Sequence, residues 1–304
     1  MTGFLDERVV LVTGAGRGIG RAVAIGCAAA GASVVVNDIG VSLAGGETGE
    51  QPAQAVVEEI RAAGGQAVAN LDSVASFDGA RSIVQCAMDT FGRLDGVVNN
   101  AGFLRDAFFH KMTEEDWDAV VAVMLKGSFN VARHAAEVFR RQSSGAFVHM
   151  TSNAGLIGNT GQANYVSAKS GIIGLSKAIA LDMVRFNVRS NCIAPMGWTR
   201  MLEKIPTTDE ASRKFVQQRM EVTPDKNVPL AVYLLSDRAR DVNAEVFVTR
   251  KHEIVLMSQP RVARSIHRSE GWTPETVESH AMPALRSSFT GMQTIADVFP
   301  WDPV

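Results

Sequence analysis

Little in this sequence marks it for metal, membrane or nucleic acid. Its three cysteines, Cys27, Cys86 and Cys192, are scattered, odd in number and without metal-ligand spacing. That speaks against a disulfide framework and reads as buried thiols in a reducing cytoplasm. The six histidines contain no His-x3-His pair, so no metal site is expected. The longest apolar run, Ala22 to Val36, is broken by Gly26 and Gly31 and ends at Asn37-Asp38. It is too short to span a bilayer and reads as helix, turn and strand. The first residues carry Asp6 and Glu7, where a signal peptide needs a basic start and an apolar core. A net charge of −2 argues against nucleic acid as the main partner. No repeat or low-complexity segment is present.

What is there is an ordinary globular composition. With 304 residues, 46% hydrophobic and 20% charged, the chain suits one large α/β domain with additions, or two small ones. Short apolar runs alternate with helical patterns. Arg8 to Val12, Ser33 to Asn37, Gln66 to Leu71, Leu94 to Val98, Ala146 to Thr151, Asn187 to Ile193 and Ala244 to Thr249 read as strands. Glu253 to Met257 either extends the last of these or adds an eighth. Helices are expected at Pro52 to Ala63, Phe77 to Phe91 and Trp117 to Gln142, and over the Tyr165 segment to Phe186. Further helices are expected from Thr207 and from Val228, and one lies in the tail, capped by Thr273 with Pro274 in its first turn. Val41 to Gln51, rich in Gly and Ser, reads as a loop. Such alternation implies a parallel sheet covered on both faces, with ligands beyond the carboxyl ends of its strands.

Gly14, Gly16, Gly18 and Gly20 sit between the first strand and a helix that runs to Gly31. Glycines there let the backbone approach a pyrophosphate, and the helix N-terminus attracts its charge. Asp38 closes the second strand about 20 residues later, placed to accept from ribose hydroxyls. That acid favours NAD over NADP by repelling a 2′-phosphate. Arg17 pulls the other way, since it suits that phosphate. Asp72 and Asn99 close the third and fourth strands. Ser152 leaves the fifth, and Tyr165 and Lys169 lie four apart on one face of the helix that follows. An ammonium beside a phenol favours phenolate and is expected to lower its pKa from about 10.

Together these residues resemble the short-chain dehydrogenase/reductase family. The match comprises Thr13-Gly14-x3-Gly18-x-Gly20, Asp72, Asn99-Asn100-Ala101-Gly102, Ser152, Tyr165-x3-Lys169 and Pro195, in order over roughly the first 250 residues. The runs at 35–40, 67–74, 104–106, 158–165 and 193–195 are similar to one branch of that family. It comprises the (3R)-hydroxyacyl-CoA dehydrogenase domain of peroxisomal multifunctional enzyme type 2 and its bacterial stand-alone relatives. The resemblance implies a single Rossmann-like doubly wound parallel α/β sheet of about seven strands. Residues 1–257 would form the NAD-binding catalytic domain. Residues 258–304 would be a C-terminal extension on that domain or on a neighbouring subunit. It implies Ser152, Tyr165 and Lys169 as catalytic residues. Cofactor contacts would come from Gly14, Arg17, Gly18, Ile19, Gly20, Asp38, Asp72, Ser73, Asn99, Asn100, Ala101, Gly102, Tyr165, Lys169, Pro195 and Thr199, with Ile193 and Thr199 candidates for the carboxamide. It further implies NAD as cofactor, a small-molecule substrate, no nucleic-acid or membrane partner, and a homodimer or homotetramer.

One position departs from the family pattern. An Asn usually precedes Leu-x-Gly in the long helix, where it anchors a proton-relay water; here Met124 stands there. A thioether is a weak acceptor. Either another group or a backbone carbonyl holds that water, which is the favoured reading, or the enzyme is slow or inactive. Phe103, Leu104, Phe108 and Phe109 line an apolar pocket or belong to core or subunit contacts, two readings of equal weight. His110 reads as a surface residue and His149 as a satisfied core histidine. The basic cluster Arg261, Arg264, His267 and Arg268 reads as solvated surface ahead of a site for CoA phosphates. Three functions stay open: a dehydrogenase of (3R)-3-hydroxyacyl-CoA thioesters, a dehydrogenase of steroid, terpenoid or aromatic secondary alcohols, and a non-catalytic NAD-binding protein.

Overall fold

The structure is a computed structural model, and it describes residues 3–40, 51–197, 210 and 221–304. Its centre is one sheet in the order β3-β2-β1-β4-β5-β6-β7-β8. The strands are β1 (Val9–Thr13), β2 (Ser33–Asn37), β3 (Gln66–Asn70), β4 (Gly96–Asn99), β5 (Gly145–Met150), β6 (Val188–Pro195), β7 (Val246–Arg250) and β8 (Glu253–Leu256). The first seven run parallel and β8 pairs antiparallel to β7. The sheet therefore has eight strands rather than about seven. Arg250 to Glu253 forms the hairpin turn that makes this possible, with Lys251 at φ +53°.

All five residues of β1 and all six of β5 are buried. Helices on both faces leave no wet side, so these strands read as continuous apolar runs instead of alternating ones. One face packs α1 (Gly18–Ala29), α2 (Pro52–Ala62) and α8 (Val228–Leu235) over Val10, Val12, Val34 and Val148. The other packs α3 (Phe77–Phe91) and α5 (Gly127–Gln142) over Val9, Leu11, Val97 and Phe147.

Capping shows which helix ends are spent on the fold. Ser76 caps α3 by accepting from Gly79 N at 3.1 Å, and Gly92 closes it in the left-handed region at φ +76°. Thr113 caps α4 (Glu114–Val121) by accepting from Asp116 N, with three acidic residues in the first turn. By contrast α1 has no side-chain cap and no acid in its first turn. Its N-terminal N–H groups and positive dipole end are left for an anion.

Three departures from the sequence expectations bear on the site. The expected long helix from Trp117 starts earlier and contains a π-turn, Ala122–Lys126, between α4 and α5. A short helix, α6 (Asn153–Ile157), follows Ser152, and α7 then runs over Ala163–Met183. The tail holds three short helices instead of one: α9 (Pro274–Thr276), α10 (Met282–Arg286) after a second π-turn, and α11 (Ile295–Val298). The expected 41–50 loop and the helix start at Thr207 lie outside the described residues.

Candidate active site

The carboxyl ends of β1, β4, β5 and β6 meet above the sheet, and the glycine-rich turn follows β1 there. Thr13 ties two of these ends together. Its Oγ1 accepts from Asn100 N at 3.0 Å and from Ala101 N at 3.2 Å. Asn100 Nδ2 in turn donates to the carbonyls of Thr13 and Gly14 at 3.0 Å each. A side chain has no room in this cradle. A Cβ on Gly20 would stand 2.3 Å from Gly14 O, and one on Gly14 would stand 2.7 Å from Ala101 Cα at a backbone φ of +62°. The shape and the uncapped α1 fit a dinucleotide pyrophosphate.

Asp38 faces the same turn. Its Oδ2 accepts from Gly16 N and its Oδ1 from Gly40 N, both at 2.9 Å. Each carboxylate oxygen keeps a second lone pair for a ribose hydroxyl. Arg17 and Arg21 line a neighbouring cavity of about 420 Å³, and Arg21 is ion-paired with Glu59. Asp72 and Ser73 follow β3. Asp72 exchanges hydrogen bonds with Asn70 and accepts at its carbonyl from Asn37 Nδ2.

The Asn99 side chain, expected as a cofactor contact, turns into the fold. It is buried and its amide donates to Ser128 O at 3.3 Å and to His149 Nδ1 at 3.2 Å. Only its backbone is left for the cleft. Because Asn99 donates to Nδ1, the ring proton of neutral His149 sits on Nε2. That Nε2–H is buried without a partner among the described residues, which leaves the His149 ring half paired by them. Burial, and then the Lys169 charge, push its pKa down to about 3.

The catalytic expectations converge. Ser152 continues β5 in extended conformation and caps α6, accepting from Ala154 N at 3.2 Å. Its hydroxyl acts on the Tyr165 phenol, drawing that pKa down. Lys169, buried one helical turn on, donates from Nζ to Met150 O at 2.6 Å and lies 5.8 Å from the Tyr165 ring centroid. Thr151 Oγ1 donates to Lys169 O at 2.7 Å, fixing α7 against β5. All three side chains line one cavity of about 300 Å³ with Ile19, Asn100, Gly102 and Pro195.

The electrostatics correct one expectation. The phenol pKa is raised, not lowered. Burial raises it most, the Ser152 hydrogen bond lowers it, and the Asp106 charge raises it further. Burial also lowers the Lys169 amine to about 8, which leaves it an ammonium at neutral pH.

Met124 belongs to the π-turn and is 1% exposed. Its side chain packs on the Asn-Asn-Ala-Gly turn, where a Cβ on Gly102 would meet Met124 Cε at 2.7 Å. Its carbonyl accepts from Ser128 Oγ at 2.6 Å. Of the aromatic stretch, Leu104 reaches the cavity and Phe103 packs on Met124, whereas Phe108 and Phe109 are exposed. His110 is exposed, as expected. Thr199 lies outside the described residues.

Residues that the sequence marked only through the resemblance, with no role attached, hold the Tyr165 helix in place. Asn164 Nδ2 donates to Arg105 O at 2.9 Å and to Asp116 O at 3.0 Å, while its Oδ1 accepts from Tyr165 N at 2.7 Å. Gln162 Nε2 donates to Asp106 Oδ2 at 2.9 Å. Two of the motifs behind the resemblance, 104–106 and 158–165, are thus bonded to each other.

The short chain dehydrogenase family profile matches residues 8–210. This chain belongs to the short-chain dehydrogenase family. It is an oxidoreductase of that family, and its fold is the family's. Mycobacterium tuberculosis Rv0148, which carries the name short-chain type dehydrogenase/reductase, is 46% identical over 80% of this short-chain dehydrogenase and 82% of its own length. Hydroxyacyl-CoA dehydrogenase ChsB1 of the same organism is 36% identical over 94% and 90%. Mouse peroxisomal multifunctional enzyme type 2 is 40% identical over 90% of this chain, which spans about 36% of that enzyme. Among solved structures, a short chain dehydrogenase from Mycobacterium avium superposes with TM-score 0.81 at 41% identity, covering 93% and 96%. A gluconate 5-dehydrogenase from Burkholderia cenocepacia in complex with NADP and tartrate gives 0.73 at 28%, covering 82% and 96%.

Proposed function

We propose that this short-chain dehydrogenase oxidises the secondary alcohol of a (3R)-3-hydroxyacyl-CoA thioester with NAD, through Ser152, Tyr165 and Lys169. The single observation that carries the reaction is the meeting of a hydroxyl, a phenol and an amine in one cavity beside a glycine cradle. Support for the substrate comes from ChsB1, named a hydroxyacyl-CoA dehydrogenase and matched over 94% of the chain. Asp38 at the strand end supports NAD; the NADP-bound Burkholderia structure and Arg17 keep NADP as the competing cofactor.

The bound nicotinamide supplies the hydride acceptor and, in its oxidised form, a positive charge beside the phenol. Tyr165 accepts the alcohol proton at its phenolate oxygen during oxidation and returns it during reduction. Ser152 donates to the substrate oxygen and holds it at Tyr165. Lys169 adds positive potential under the phenol, which otherwise stays protonated because of its burial. Gly14, Gly18, Ile19 and Gly20 hold the pyrophosphate turn; Asp38, Asp72, Ser73, Asn100, Ala101, Gly102, Pro195 and Thr199 complete the cofactor contacts. Residues 1–257 form the catalytic domain in this reading and 258–304 the extension. A reducing cytoplasm fits the free thiols, of which Cys27 and Cys192 are pushed up to about 12 by burial and made unreactive, and the assembly in this reading is a homodimer or homotetramer.

A second substrate class, steroid, terpenoid or aromatic alcohols, is favoured by the apolar wall of Leu104, Met124, Met150 and Ile295. NADH formation with (3R)- and (3S)-hydroxyacyl-CoA thioesters and a panel of cyclic alcohols separates the two. Turnover of the (3R)-thioester alone is the expected result. Turnover of cyclic alcohols without either thioester refutes the thioester reading, and no turnover with NAD still bound refutes the enzyme's catalytic assignment.

A further inference from the structure

Part of the lining of the catalytic cavity comes from the far end of the chain. Ile295, the first residue of α11, lines the same cavity as Ser152, Tyr165 and Lys169. It is the only residue after Val222 among the described residues that does so. Its helix is four residues long and stands alone, so it needs anchoring to act as a wall.

The anchors are present. A capping box starts α11: Thr294 Oγ1 accepts from Asp297 N, and Asp297 Oδ2 accepts from Thr294 N at 2.7 Å. Phe299, 7% exposed, packs on Ala194 of β6 and Val248 of β7, with Leu156 and Ile157 of α6 in the same cluster as Ile295. Beyond it, Arg250 forms a clasp. The guanidinium lies 4.9 Å from the Phe299 ring and 5.2 Å from the Trp301 ring, and donates to Trp301 O at 2.7 Å. Trp301 Nε1 donates to Glu253 Oε1 at 2.7 Å, and His252 N to Val304 O at 2.8 Å. Arg250 and Glu253 belong to the β7–β8 hairpin. The extra strand therefore has a job: it holds the receptor for the tail.

We propose that Ile295 is a specificity-determining residue, the side chain against which the hydrocarbon part of the substrate packs, held there by the Arg250–Phe299–Trp301 clasp. This rests on the reading of the cavity as the substrate site. The substrate class it selects carries an aliphatic chain or ring next to the carbinol carbon. Arg250 and Trp301 act through Ile295 and are positioning residues.

The test uses the full chain with NADH bound and a homologous series of 2-ketones from butanone to dodecan-2-one, read by fluorescence of the bound nicotinamide. With the wild type, affinity rises about fourfold per added methylene until the cavity is full. Ile295→Trp stops that rise early: dodecan-2-one binding falls at least tenfold and butanone binding stays unchanged. Ile295→Ala moves the plateau to longer ketones. Equal loss for all chain lengths, unchanged binding of all of them, or no ketone binding to the wild type overturns the proposal. Should Ile295→Trp fail to fold in a thermal melt, Trp301→Ala decides: a released tail weakens dodecan-2-one at least fivefold and spares butanone, and an equal change in both overturns the idea. A wild type that binds ketones by chain length yet turns over no hydroxyacyl thioester refutes the thioester reading and leaves this inference standing.

Discussion

His149 makes the protein's acid stability a sharp test of how the sheet is packed beneath the site. Its ring is fully buried, its Nδ1 is taken by Asn99, and its Nε2–H has no partner among the described residues. Burial and then the Lys169 charge hold its pKa at about 3 in the folded chain, against 6.5 for the free side chain. A group depressed on folding stabilises the native state above its unfolded value. That stability is lost as pH falls through the window from 6.5 to 3. Between pH 6.5 and 5 the loss is about 2 kcal/mol, at ~1.4 kcal/mol for each pH unit. His149→Gln keeps an acceptor for Asn99 and removes the titration. Urea unfolding at pH 7 and pH 5 gives four free energies, and their double difference isolates the histidine from every other titrating group. The wild type should lose about 2 kcal/mol more than the variant on going from pH 7 to pH 5. Parallel losses in the two proteins would mean that the folded ring accepts a proton near pH 6, and the picture of a dry, half-paired imidazole would fall.

Two further outcomes follow from the same packing. Lys169, whose pKa burial lowers from 10.5 to about 8, is a protonated amine held in a poor solvent below that pH. The unfolded chain binds the extra proton between pH 8 and 10.5, so apoprotein stability should gain about 3 kcal/mol across that window, and Lys169→Met should abolish the gain along with turnover; an unchanged pH profile in urea unfolding refutes it. Met124→Asn puts a hydrogen-bonding amide into the π-turn beside Gly102. It should shift the pH dependence of kcat by more than it changes KM, and an unaltered profile in steady-state kinetics counts against a relay role for this position.

The motifs were legible in the sequence because they are local. Glycines at 14, 18 and 20 report a backbone that must approach something closely, and Tyr165 and Lys169 share a face by helix geometry alone. Strand runs such as Val34 to Val36 declare themselves by being apolar without alternation, which demands cover on both faces. The eighth strand stays ambiguous in the sequence because its two exposed positions, Ile254 and Leu256, are apolar and hide the alternation. Spacing alone predicts the wrong direction for the Tyr165 pKa, since a neighbour four residues away says nothing about desolvation. Asn99 reads as a cofactor contact because it ends a strand, yet the amide turns inward to His149 and Ser128, partners far away in sequence.

By itself, the sequence determined the alternation that builds a parallel sheet, the glycine turn, the acid at Asp38 and the Ser152, Tyr165 and Lys169 set. Each of these follows from local backbone geometry or from chemistry fixed within one element. Tertiary structure decided what depends on distant segments meeting: which groups are dry, which amides are already spent, and the arrival of Ile295 at the cavity through a clasp on Arg250. Burial and pairing are properties of the surroundings, and no stretch of chain carries its surroundings with it.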